Sequence, residues 1–184
     1  MKPKTCKVCK TKFQPVRPIQ PCCGYECSVT YGIAVASKNA ARKARNEAKA
    51  HREAKVKAKT KAQWTREAQA AVNKVRRLED QSKGYPCISC GRHHKGQYHA
   101  GHYRSTKAAP ELRFEPRNIH LQCQPCNTHL SGNIIEYRKG LIARYGVEEV
   151  EWLEGPHDPK HYTIDDLKAI KKEYTDRLKN DRTA

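Results

Sequence analysis

Two Cys-x-x-Cys pairs, Cys87/Cys90 and Cys123/Cys126, bracket the stretch of this chain richest in side chains able to do chemistry. Two residues between cysteines let both sulfurs reach one ion about 2.3 Å away from a tight turn, and two such turns close a tetrahedral Zn²⁺ site. Four thiolates leave no coordination position for a substrate, so this zinc is expected to be structural. The 32 residues between Cys90 and Cys123 are more than a simple ribbon needs, and they hold His99, His102 and Asn118. Asn127 follows the last cysteine directly. A second set lies upstream: Cys6-x-x-Cys9, then Cys22, Cys23 and Cys27. Cys6, Cys9, Cys23 and Cys27 would make another four-thiolate site with Cys22 spare, and Cys22 with Cys27 is the other pairing. The start MKPKTCKVCK lacks the apolar core of a signal peptide, so metal-bound thiolates in a reducing cytoplasm are expected rather than disulfides.

The elements that must position these groups are lean in apolar residues. Apolar types make up 37% of the 184 residues and mean hydropathy is −0.94, which favours metal staples and exposed helices over one large core. No apolar run approaches a membrane span, so no membrane partner is expected. Net charge is +18, from 37 Lys and Arg against 19 Asp and Glu, and predicts a polyanionic partner. That charge is concentrated in residues 35–83, with 15 basic and 5 acidic residues, while residues 84–184 hold 16 and 13.

The organisation expected is an N-terminal zinc knuckle over 1–34, a basic helical arm over 35–84, a zinc-stapled module over 85–147 and a helical extension over 148–184. Residues 35–83 contain neither Pro nor Gly and predict a long helix from Val35 to about Leu78, with a break near Lys59-Thr60-Lys61. Its first half offers mostly Ala as apolar surface and should stand in solvent; helical spacing begins at Trp64, Ala68, Ala71, Val72 and Val75. Gly84-Tyr85-Pro86 ends the helix. Arg113-Phe114 and Ile119-His120-Leu121 read as short β pieces, and Ile134 to Tyr145 as a helix with Ile134, Ile135, Leu141 and Ile142 inward. After the turn-rich GPHDPKHY, Thr163 caps a helix whose stripe Ile164, Leu167, Ile170, Tyr174 and Leu178 should pack on the zinc-stapled module, a dimer interface being the alternative.

The run AGHYRSTKAAPELRFEPRNIHLQCQPCNTHLSGN resembles the HNH (ββα-metal) nucleases in their His-Asn-Asn form. It further resembles the NinG (Rap) family of lambdoid phage recombination endonucleases, over nearly the whole chain. The resemblance implies an α+β fold: a small zinc-stapled ββα-metal (HNH-like) module with an N-terminal zinc knuckle, a long basic helix and a C-terminal helix. It implies that His102 is the general base, that Asn127 ligates a catalytic divalent metal through its amide oxygen, and that Asn118 braces the loop carrying the base. Cofactors would be two structural Zn²⁺ and a catalytic Mg²⁺ or Mn²⁺. One departure stands out. Many HNH enzymes carry an acidic ligand directly before the His, and Gly101 is there. Where related proteins can carry an acid three positions before it, this chain has His99, an imidazole that suits Mn²⁺, Ni²⁺ or Co²⁺ better than Mg²⁺. His120 and His129 are spare candidates, each more often a strand or surface histidine.

Arg104 and Lys107 follow the base and are candidates for phosphate contact or are solvated charges; Arg113 and Arg117 have Glu111 and Glu115 as neighbours to pair with instead. Lys38, Arg42, Lys43, Arg45 and Lys49 are the candidate DNA-binding cations of the arm. The expectation is a metal-dependent DNA endonuclease acting, by resemblance, on branched recombination intermediates (D-loops and Holliday junctions) in the cytoplasm of a phage-infected cell. Paired cuts across a symmetric junction need two active sites, which points to a homodimer. The alternative is a non-catalytic zinc-ribbon DNA-binding or regulatory protein, which accounts for zinc and charge but not for a His and two Asn at HNH spacing.

Overall fold

Thr60 divides the basic helical region in two. Its hydroxyl accepts from the Gln63 amide at 3.3 Å, and the Gln63 side chain accepts from the Thr60 amide at 2.8 Å. That reciprocal capping box starts a new helix where the old one ends. The computed structural model describes residues 1–180, with two compact units that divide between Lys59 and Thr60. The arm expected over 35–84 thus contributes its first part to one unit and its second part to the other. Residues 181–184 of the expected C-terminal extension lie outside the described residues.

In the first unit, strands β1 (Lys4–Thr5) and β2 (Lys12–Phe13) pair antiparallel and flank the Cys6-x-x-Cys9 turn. Helix α1 spans Tyr25–Lys57. It begins well before the predicted Val35, because the cysteine knuckle runs straight into it and Cys27 lies on its first turn. No residue of α1 is buried, as expected for a helix whose apolar positions are mostly Ala.

The second unit is built on a two-stranded antiparallel sheet of β3 (Tyr98–His102) and β4 (Ile119–Cys123), in register Tyr98↔Cys123 through His102↔Ile119. A hairpin of this size is marginal alone and must be covered. Helix α2 (Lys61–Ser82) and helix α5 (Ile164–Asn180) cover one side through Trp64, Ala68, Val72, Val75, Phe114, Ile119, Leu167 and Tyr174. Helices α3 (Ile134–Tyr145) and α4 (Val147–Glu154) form a second cluster with the loops, around Ile88, Tyr103, Leu112, Tyr137, Leu141, Val150 and Leu153. The α5 stripe is therefore a packing face on α2, although Ile164 at its start is exposed.

Two local expectations need correction. Arg113-Phe114 is not a strand: it follows a short 3₁₀ turn at Pro110–Leu112, and Phe114 buries its ring in the α2/α5 cluster instead. In α3, Ile134 and Ile135 are exposed and Tyr137 and Leu141 face inward. The reason is the start of that helix. Ser131, Gly132 and Asn133 all adopt positive φ, which sets the phase so that Tyr137 meets the sheet and donates to the Gly101 carbonyl at 2.9 Å.

Strand β4 is held on its outer edge by side chains rather than by a third strand. Arg76 donates to the Ile119 carbonyl at 3.1 Å, and Asp80 accepts from the Leu121 amide at 2.8 Å. On the far side, α3 comes close to the cysteine turn: a Cβ at Gly140 would lie 1.9 Å from the Ile88 carbonyl oxygen. Gly140→Ala should therefore destabilise the protein by about 1–3 kcal/mol through forced backbone movement. Gly96→Ala, with nothing within 4 Å of the new carbon, is the control. Thermal unfolding checks this; equal melting temperatures for both variants would mean α3 and the Ile88 turn separate easily.

Candidate functional site

The site assembles at the mouth of the β3–β4 hairpin. A cleft of about 610 Å³ is lined by Ala100 and His102 from β3, by Tyr103, Arg104 and Thr106 from the following loop, and by Asn127, Ser131, Gly132 and Ile134 beyond β4. His102 and Asn127, distant in sequence, thus share one concavity. Asn127 gets there on a single π-helical turn, Pro125–His129, that also carries Cys126. An irregular turn of this kind is a common device at functional sites.

His102 is half-buried at the end of β3. Its Nε2 lies 3.1 Å from the Arg113 carbonyl oxygen. A carbonyl only accepts, so Nε2 carries the proton of the neutral ring and Nδ1 is left as the basic nitrogen. Burial, reinforced by the positive charge of Arg113, holds the imidazole pKa below the usual 6.5, against the pull of that carbonyl bond. The ring therefore stays neutral, and able to accept a proton, through the physiological range.

Asn118 is fully buried and acts as a clamp. It accepts from the Arg104 amide at 2.7 Å and donates to the carbonyls of Arg104 at 2.9 Å and Leu112 at 3.1 Å. Those three bonds tie the start and the end of the hairpin's long connection, which directly follows His102. They satisfy the amide with backbone only, so this side chain fixes geometry and offers nothing to a ligand.

His99 and Asn127 are brought together: the Asn127 side-chain nitrogen lies 2.9 Å from His99 Nδ1. Strand alternation puts residue 99 on the same face of β3 as residue 101. Position 101 itself has no room, because a Cβ there would meet the Gln122 side-chain oxygen at 2.1 Å. Gln122 is fully buried and anchored, donating to Ser89 Oγ and to the Gly132 carbonyl. An acid directly before His102 would thus require the Gln122 side chain to give up its place. An imidazole nitrogen and an amide oxygen are ligand types a borderline divalent cation accepts, but in this arrangement the amide nitrogen faces Nδ1, so holding a metal would need the amide turned to present its oxygen.

The other candidates fall elsewhere. His120 is buried, its Nε2 on the Arg117 carbonyl at 2.9 Å and its ring stacked 5.0 Å from Tyr145, and it does not line the cleft. His129 is exposed on the π-helical turn. Arg104 lines the cleft, and Lys107 is exposed beside the lining residue Thr106. Arg117 pairs with Glu115 at 3.2 Å and Glu149 at 3.6 Å and lies over Trp152, whereas Arg113 donates to the Thr106 carbonyl. Lys38, Arg42, Lys43, Arg45 and Lys49 are all exposed on α1.

Both cysteine quartets could hold a metal. In each of Cys6/Cys9/Cys23/Cys27 and Cys87/Cys90/Cys123/Cys126, the four sulfurs lie within 4.8 Å of one another. Adjacent sulfurs are 3.4 Å (Cys9–Cys23), 3.8 Å (Cys23–Cys27) and 3.9 Å (Cys90–Cys123) apart. A tetrahedron with ~2.3 Å metal–sulfur bonds has edges of about 3.8 Å, so the spacing fits Zn²⁺. Cys23 rather than Cys22 joins the first quartet, and Cys22 is buried beside Cys6 without belonging to it. Crowding splits the thiols of that quartet. Burial opposes ionisation of Cys6, but backbone hydrogen bonds at Cys23, Val8 and Cys9 outweigh it and bring the thiol down to about 5. The Cys23 side chain, followed by burial, pushes Cys27 up to about 12. A dication would let all four ionise together. Purified protein should hold close to two Zn²⁺ per chain by elemental analysis, falling to one in Cys23→Ser and staying at two in Cys22→Ser. A zinc content near one in the unaltered chain would remove the N-terminal site.

Comparison with known proteins completes the picture. Residues 1–183 match the family model described as "NinG: Bacteriophage Lambda NinG protein". A protein named ninG from Escherichia phage lambda is 48% identical over 121 residues, covering 66% of this chain and 58% of that protein. Another from Escherichia phage 933W is 40% identical over 196 residues, covering 98% of this chain and 94% of that protein. One from Salmonella phage P22 is 47% identical over 117 residues, covering 64% of this chain and 57% of that protein. No solved structure matches. With a family match that runs from the first cysteine knuckle through the cleft to the last helix, this chain belongs to the NinG family.

Proposed function

We propose that this chain is a divalent-metal-dependent DNA endonuclease of the HNH (ββα-metal) kind that cuts branched recombination intermediates such as D-loops and Holliday junctions. The observation that carries the reading is the shared cleft of His102 and Asn127, with Asn118 clamping the loop between the strands. A hairpin supplying an imidazole, followed by a turn supplying an amide and then a helix, is the order of parts such a nuclease uses.

In this reading Nδ1 of His102 removes a proton from a water molecule. The hydroxide oxygen bonds to phosphorus as the bond from phosphorus to the leaving sugar oxygen breaks, and a proton from solvent completes the leaving hydroxyl. Asn127 and His99 would hold the divalent cation, which would supply charge neutralisation on the phosphoryl oxygens and on the leaving oxygen. Arg104, in the cleft wall, orients the scissile phosphate, and Lys107 the flanking one. Asn118 touches neither substrate nor metal; it keeps the loop after His102 at one distance from the hairpin.

Binding charge comes from α1. Its 33 residues carry eight Lys and Arg against three Glu and would run about 50 Å in length. The ion pairs Lys43–Glu47 and Lys49–Glu53 are long, at 3.9 Å each, and highly exposed, so they hardly compete with phosphate. The branch preference rests on the family resemblance alone.

His102→Ala should retain zinc content and junction binding while turnover of a nicked or resolved junction, in Mn²⁺ or Mg²⁺, falls at least about a hundredfold. Full cleavage by that variant would overturn the assignment of the base. Absence of metal-dependent cleavage by the unaltered chain on junction, fork and linear DNA would favour a non-catalytic zinc-ribbon binder. Because burial keeps the His102 ring neutral, the acid limb of the pH–rate profile should lie below pH 6.5 rather than above it. Replacing Lys38, Arg42, Lys43, Arg45 and Lys49 together by Gln should weaken binding to every DNA tested and flatten its salt dependence. An unchanged salt slope would make α1 a spacer.

A further inference from the structure

Helix α2 sends one polar side chain into the site from outside the hairpin and its loop. Gln69 Nε2 lies 3.3 Å from the Arg113 carbonyl oxygen, the same oxygen that receives His102 Nε2. It also lies 2.8 Å from Asn73 Oδ1 and 3.3 Å from His102 Nε2. A backbone carbonyl cannot exchange roles as a side-chain amide can, so it fixes the sense of the network. Both nitrogens point at one acceptor, and both are donors; two donors sharing an oxygen come this close to each other naturally. Turned over, the Gln69 amide would set its oxygen against the Arg113 carbonyl, two acceptors face to face.

In the arrangement present, Gln69 Oε1 is buried with no hydrogen-bond partner. Leaving such an acceptor dry costs free energy that a purely apolar residue on this helix face would avoid. Its neighbours on α2, Ala68 and Val72, are fully buried apolar residues of the core, so Gln69 sits at the border of that core with Asn73.

We propose that Gln69 is a positioning residue for His102: it clamps the Arg113 carbonyl against Nε2, holding the ring in the tautomer whose basic nitrogen is Nδ1. This rests on the reading of His102 as the base, but the tautomer itself can be measured without any cleavage. If the carbonyl drifted, the loss of a fixed acceptor would let the ring proton move to Nδ1 and present the wrong nitrogen to water. Gln69 would thus tie the tautomer of the ring to the seating of α2 on the sheet.

The test uses the zinc-loaded full chain. Nitrogen-15 NMR of the histidine rings should find His102 as a single Nε2–H tautomer at pH 7.5. Gln69→Met, of similar length but without a donor, should convert it to a mixture with Nδ1–H while zinc content, melting temperature and junction binding stay near those of the unaltered chain. Turnover should fall about tenfold with KM little changed, as for loss of one hydrogen bond used in the reacting geometry. Gln69→Asn, a shorter donor, should restore part of the Nε2–H population. A single Nε2–H tautomer in Gln69→Met would overturn the proposal, whatever the activity. If instead the tautomer shifts but His102→Ala still cleaves DNA, the positioning role stands and the assignment of the base falls.

Discussion

The side chains of Arg76 and Asp80 reach β4 where a third strand would otherwise lie, and the rest of the unit depends on that grip. Asp80 is fully buried, and a buried carboxylate is tolerable only with its oxygens satisfied. Here the Leu121 amide donates to it, with Arg76 at 3.5 Å and the His120 ring at 3.8 Å. Burial works against its ionisation, but the nearby His120 ring and the Leu121 amide outweigh that and hold the carboxyl below its usual range. A depressed folded-state value contributes stability that is fully present above the unfolded carboxylate range and is lost as pH falls from there through the lower folded value. The two-stranded sheet is thereby treated as though it had a third member, which hairpins of this size require.

From β4 the remaining constraints propagate outward. The Ile88 amide donates to the Leu121 carbonyl at 2.9 Å, on the residue whose amide Asp80 holds, so the cysteine turn and α2 together hold both backbone groups of one residue on the same edge of β4. Cys123 ends the strand within the second quartet, and the π-helical turn then carries Cys126 and Asn127 together. A metal at the quartet would thus fix the very turn that delivers Asn127 to the cleft. Gln122, in the middle, spends its donors on Ser89 and Gly132 and fills the space before His102. With Gln122 in that place a side chain at position 101 would have to displace it, and His99, on the same face of β3, lies beside Asn127.

Much of this was legible in the residues. Cys-x-x-Cys spacing is dictated by how far two sulfurs can lie from one ion, so both quartets could be read directly, although Cys22 and Cys23 are chemically identical neighbours and only folding separates them. The dense run of strong helix formers, free of Gly and Pro, announced helix from propensity alone. The break near Thr60 was visible, and the Thr60–Gln63 capping box gives its cause. The phase of α3 was misread because its three left-handed residues, two of them not glycine, leave no periodic signal.

What sequence by itself determined, then, was the chemistry available: eight thiols at ligand spacing, an imidazole and two amides in one segment, and an excess of positive charge. Tertiary structure alone decided how those groups are used. It buried Asn118 into a backbone clamp, put Asn127 against His99, and chose which ring nitrogen of His102 is free by placing the Arg113 carbonyl against the other. It also brought Gln69, Arg76 and Asp80, polar residues flanking the legible apolar stripe of α2, into the supports of the site and the sheet. The reason is physical: side-chain type and local spacing are properties of the chain, whereas a hydrogen bond across many residues exists only once burial has fixed both partners.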